Sequence, residues 1–103
     1  MSRRIRVEPE AEAELLAAAE WYDGEEPGLG FDLLEEARSA YLRLAEGDNG
    51  TPVTGAQTAA RRVPISRFPF WIVFTEYGRD LVIVAYAHER RRPGYWLTRV
   101  RDS

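Results

Sequence analysis

Apolar residues recur along this chain in two rhythms, a helical one over roughly the first half and a strand-like one after residue 60. Arg4-Ile5-Arg6-Val7 alternates polar and apolar, which predicts a short strand that stops at Glu8-Pro9. Ala11, Leu15, Ala18 and Tyr22 then repeat at steps of four, three and four, which places them on one face of a helix. Pro9 suits its first position, and Glu10, Glu12 and Glu14 put negative charge near the positive end of its dipole. Asp23-Gly24 and Pro27-Gly28 end this helix. A second begins near Leu29, with Leu33, Ala37, Ala40 and Leu44 in the same rhythm up to about Ala45, so an αα-hairpin is expected. Residues 47–60 are small and polar and predict a long surface loop.

Period-two alternation and β-branched or aromatic residues then predict three strands. Residues 61–65 contain Pro64, which cannot donate to a ladder and so points to an edge. Residues 70–76 form the richest strand, and Tyr77-Gly78-Arg79-Asp80 turns it into residues 81–88. Both faces of these last two strands are largely apolar, so they belong at the centre of a sheet with the helices on one side. The other side needs a cover, which Tyr95-Trp96-Leu97 and Val100 supply in part. The expected fold is α+β: an N-terminal strand, an αα-hairpin, and a three-stranded antiparallel meander completing a four-stranded sheet packed on the helices. Trp21, Phe31 and Tyr41 are read as packing residues of the hairpin, and Glu10, Glu12, Glu14 and Glu20 as a solvated helix face.

Length sharpens this. The 103 residues, 45% of them hydrophobic, suit one core, so residues 1–103 are read as a single domain. With no cysteine, neither disulfides nor thiolate metal sites are open to the chain, which agrees with a cytoplasmic setting. No apolar run resembles a signal peptide or a membrane span. The net charge of −3 conceals a division: residues 1–50 hold 13 acids against five arginines, and residues 51–103 hold four against nine. Every basic side chain is arginine, which favours planar two-point recognition of phosphate or carboxylate, although a GC-rich genome produces the same bias. An acidic total argues against a protein that coats nucleic acid, so any such contact is confined to the second half.

Candidate chemistry gathers at His88-Glu89-Arg90-Arg91-Arg92-Pro93-Gly94-Tyr95-Trp96. Guanidinium groups clamp phosphates, a histidine moves protons near neutrality, and aromatic rings stack on bases. Cleaving RNA through its own 2′-hydroxyl needs an acid, a base and a cation, roles that His88, Tyr95 and Arg91 can fill in some order. The structural alternative is a solvated, salt-bridged turn beside a rim-of-core histidine, since period two places His88 on the face of Val82, Val84 and Tyr86. Arg62 on the first strand after the loop either guards an edge or serves a target. No metal-ligand spacing, phosphate loop or Ser/His/Asp set is present.

Taken in order, Glu10-Ala11-Glu12 after a proline, Trp21-Tyr22, Pro27-Gly28-Leu29-Gly30-Phe31, Arg67-Phe68-Pro69-Phe70-Trp71-Ile72 and His88-x-x-Arg91-x-Pro93-x-Tyr95-Trp96-x-x-Arg99 resemble the RelE/ParE toxin family over nearly the whole chain. The resemblance implies a growth-inhibiting toxin of a bacterial type II toxin–antitoxin system, held in a hetero-oligomer with a cognate antitoxin and needing no cofactor or metal. ParE-like members poison DNA gyrase, and RelE-like members cut mRNA on the ribosome. The acidic total, the lack of lysine, Trp21-Tyr22 and the Pro-Gly-Leu-Gly turn lean to the ParE side. On the RelE side the resemblance makes His88, Arg91 and Tyr95 catalytic. Arg62, Arg67, Arg90, Trp96 and Arg99 are the expected target- or phosphate-binding residues.

Overall fold

A computed structural model describes residues 3–54 and 58–100. Strand β1 (Arg4–Val7) leads into helices α1 (Pro9–Glu25) and α2 (Leu29–Ala45), followed by strands β2 (Thr51–Pro52), β3 (Arg61–Pro64), β4 (Phe70–Tyr77) and β5 (Asp80–His88), and a 3₁₀ turn at Leu97–Arg99. The α+β class and the order of elements match the sequence reading. The sheet differs by one strand: it has five, in the order β1-β5-β4-β3-β2, with β1 parallel to β5 and the other neighbours antiparallel.

The fifth strand comes from the segment read as loop. Thr51 and Pro52 pair with Arg62 and Arg61, and the Val53 N–H donates to the Ala60 carbonyl at 3.0 Å. Gly50 makes this possible, because a Cβ there would lie 2.4 Å from the Arg62 carbonyl oxygen. β3 is therefore not a full edge. Pro64 lies beyond the reach of β2, where its missing N–H leaves no gap in the ladder. Residues 55–57 of the expected loop fall outside the described residues.

The helix positions chosen by rhythm are those that pack. On α2, Leu33, Ala37, Ala40 and Leu44 are buried; on α1, Ala11 is buried and Leu15, Ala18 and Tyr22 lie against the same core. Gly30 brings the hairpin together: its N–H donates to Asp23 Oδ1 at 2.7 Å, and a Cβ there would stand 2.2 Å from the Ala19 carbonyl oxygen. Arg3 closes the far end of α2, donating to the carbonyls of Leu44 and Asp48 where the helix dipole is negative. Tyr41 packs on the core, but Trp21 and Phe31 do not: they are 61% and 63% exposed. Neither belongs to the stripes that recur at steps of four and three, and Trp21 instead borders a hollow with Tyr22, Phe70 and His88.

A β-bulge divides the apolar residues of β5 between two cores. Val73 pairs with Ala85 and Phe74 with Ile83, so Val84 has no partner of its own. Leu81, Ile83 and Tyr86 accordingly join the helix-side core, while Val82, Val84, Ala85 and Ala87 join a second core on the opposite face. Trp96, 4% exposed, covers that second core together with Tyr95 and Val100, as expected of the closing segment; Leu97 is exposed instead. The bulge also overturns the placement of His88 with Val82 and Val84. It sits on the helix side, its ring 5.0 Å from that of Phe70 in an edge-to-face contact.

Candidate functional site

β1 pairs with β5 only as far as Ile83, so beyond that point the backbone of β5 needs other partners on that side. Glu14, projecting from α1, and Arg99, from the closing turn, provide them. The Tyr86 N–H donates to Glu14 Oε1 at 3.2 Å, and the Val84 carbonyl accepts from Arg99 Nη1 at 3.1 Å. The two side chains pair with each other at 2.9 Å, each 17% exposed. The Tyr95 hydroxyl donates to Glu14 Oε2 at 2.5 Å. One carboxylate thus holds a strand edge, a guanidinium and a phenol, all through charge-assisted bonds. Glu10, Glu12 and Glu20 are exposed as expected; Glu14 departs from that reading because α1 turns it toward the open stretch of β5.

On the sheet face away from the helices lies a cleft of about 250 Å³. Its walls include Arg62 from β3, Trp71 from β4, and His88, Arg91, Tyr95 and Trp96 from the end of β5 and the segment after it. Two arginines here stand over aromatic rings: Arg62 lies 3.9 Å from the ring centre of Trp71, and Arg91 lies 4.0 Å from that of Tyr95. Arg62 Nε is buried without a hydrogen-bond partner. Among the described residues neither guanidinium pairs with a carboxylate, although Glu89 also lines the cleft.

Of the eight residues singled out in the sequence, Arg62, Arg91, Tyr95 and Trp96 therefore converge, while His88 borders the cleft at the end of β5 with its ring turned to Phe70 on the helix side. Trp96 joins the others mainly as a buried wall. Arg99 stands behind the cleft, 5.2 Å from the Tyr95 ring and engaged by Glu14. Arg67 lies elsewhere, facing Asp32 and Glu36 on α2 at 3.8 and 3.5 Å. Arg90 is exposed and touches the site through its backbone, whose N–H donates to His88 Nδ1 at 3.0 Å. That leaves Nε2 as the free nitrogen of His88, which also borders a second hollow with Ala18, Trp21, Tyr22 and Phe70. Glu14 is the member that sequence reasoning missed. Nothing in its spacing sets it apart from the other acids of α1, and only the shortness of β1 against β5 hints that something must cover the remainder.

Electrostatics set the character of Tyr95. Burial raises its phenol well above the ordinary value, the hydrogen bond to Glu14 and that carboxylate's charge push the same way, and Arg91 and Arg99 oppose them. Near neutrality Tyr95 keeps its proton and points it at Glu14. Chemically the cleft offers positive, flat, aromatic-backed surfaces suited to an oxyanion. Among the described residues no group of three or more His, Asp or Glu side chains is disposed to hold a metal ion, and no helix is long and apolar enough to cross a membrane.

No family model matches this chain, and no curated protein does. A solved structure does: a chain from the chromosomal ParDE TA system from P. aeruginosa superimposes with a TM-score of 0.73 at 18% identity, over 84% of this chain and 96% of that one. Identity so low speaks for architecture, and on that ground this chain has the RelE/ParE-like fold that its motifs resembled.

Proposed function

We propose that this chain is the toxin half of a toxin–antitoxin pair, a ParE-like growth inhibitor that acts in the cytoplasm on DNA gyrase and is neutralised in a hetero-oligomer by a cognate antitoxin. The observation that carries this reading is the fold shared with a chain of a ParDE system over almost that chain's whole length. The state of the acid–base residues supports gyrase over RNA as the target. Tyr95 holds its proton against Glu14, Arg99 is neutralised by the same carboxylate, and only Nε2 of His88 is left for proton transfer.

One observation favours a second reading, a RelE-like metal-independent endoribonuclease: Arg62, Arg91 and Tyr95 share a single cleft that His88 borders. Pulse labelling in the first minutes after induction separates the two. The gyrase reading expects DNA synthesis to fall before protein synthesis, purified chain to block supercoiling, and His88→Ala to remain toxic. Early loss of translation, abolished by His88→Ala in a chain that still folds, would replace it with the ribonuclease reading.

A further inference from the structure

Tyr95 makes three contacts that together define an unusual job. Its hydroxyl is committed to Glu14, one guanidinium, Arg99, approaches its ring at 5.2 Å while paired to that same Glu14, and a second, Arg91, lies over the ring at 4.0 Å. Arg91 is exposed and, among the described residues, without a carboxylate partner; the contact that holds it is the one with the Tyr95 ring. In the same cleft Arg62 stands over Trp71, with a buried Nε that has no hydrogen-bond partner among the described residues. Two cations held over aromatic rings of one cleft, and without a carboxylate partner among the described residues, leave N–H groups for a ligand, and an oxyanion is the partner whose geometry suits them.

We propose that Glu14, acting through Tyr95, is a positioning residue that fixes Arg91 in the cleft it shares with Arg62, so that the two ring-backed arginines form a two-point site for a phosphate-class anion, with Tyr95 as platform rather than proton carrier. This does not depend on whether gyrase or RNA is the target. It assigns the Tyr95 ring, and not its hydroxyl, to the ligand side of the site, and it gives Glu14 a role that no contact with ligand would reveal.

The test follows the side-chain Nε–H signals of Arg62 and Arg91 by NMR in the full chain, with pyrophosphate as the probe. Both signals are expected to shift together and saturate. Tyr95→Leu, which removes the platform, weakens the apparent affinity about tenfold, the size of a partly desolvated cation–π contact. Tyr95→Phe, which keeps the ring and loses only the anchor, weakens it about threefold, at the weak end of such contacts. Glu14→Gln, which weakens the charge-assisted bond to the Tyr95 hydroxyl and also loses the ion pair with Arg99, falls at least as far as Tyr95→Phe, and the double variant is no worse than Glu14→Gln alone, because the Tyr95 link is part of what Glu14 supplies. Arg91→Lys, at an exposed position that does not endanger folding, keeps the charge but loses the planar guanidinium, and falls with Tyr95→Leu. The proposal is overturned if the wild-type signals do not saturate, if Tyr95→Phe loses as much as Tyr95→Leu, if Arg91→Lys binds like wild type, or if the Glu14→Gln and Tyr95→Phe losses add.

Discussion

Glu14 differs from Glu10, Glu12 and Glu20 only in where the helix turn carries it, yet it alone meets a strand edge, a phenol and a guanidinium. The same local chemistry predicts how stability responds to alkali. Burial, with Tyr41 and Glu12 adding to it, pushes Tyr86 up to about 12, and burial and Glu14 raise Tyr95 further. A tyrosine whose folded pKa is raised contributes stability that is intact below its unfolded value near 10 and is lost as pH climbs through the folded value. Urea midpoints are therefore expected to hold steady up to about pH 10 and then to decline toward 12, within the window set by Tyr86. Tyr86→Phe and Tyr95→Phe should each flatten that decline, and an unchanged slope in both would refute the assignment.

Between elements, the decisive contact is the one at the hairpin, where Gly30 lets α2 start against the last turns of α1. A methyl group there meets backbone rather than a flexible side chain, at 2.2 Å from the Ala19 carbonyl oxygen, so the helices must move apart. Gly30→Ala is expected to cost about 1–3 kcal/mol despite the better helix propensity of alanine. For a chain of this size that lowers the melting temperature by roughly 4–8 °C per kcal/mol. Gly24→Ala, whose added methyl group meets nothing within 4 Å, is the control and should leave the melting temperature unchanged or slightly higher. Equal behaviour of the two variants would mean that the hairpin contact is not close-packed.

Across the whole molecule, the first strand and the last lie side by side. Ile5 and Val7 pair in parallel with Leu81 and Ile83, two of the most deeply buried residues, and Arg3 at the same end of the chain caps α2. Such contacts close only after nearly the whole chain has been ordered, which makes them costly to form and hard to replace. A chain lacking residues 1–7 is expected to lose its cooperative urea transition, because the edge of β5 and the end of α2 are bared together. A sharp transition at an unchanged midpoint would show that the hairpin and the meander suffice.

Periodicity in the sequence determined the elements, because a helix face and a strand face repeat at fixed steps that do not depend on the rest of the molecule. Leu33, Ala37, Ala40 and Leu44 were legible for that reason, as were β1, β4 and β5 and the lid formed by Trp96. Arg62, His88, Arg91 and Tyr95 were legible as chemistry, from residue type and family resemblance, but not as a constellation. Two matters were settled only in three dimensions. A single extra residue at Val84 reversed the strand's parity and sent His88 to the helix side, which an all-apolar run cannot signal. Glu14 acquired its partners from residues 72 to 85 positions away, and contacts at such separation leave no mark in local spacing.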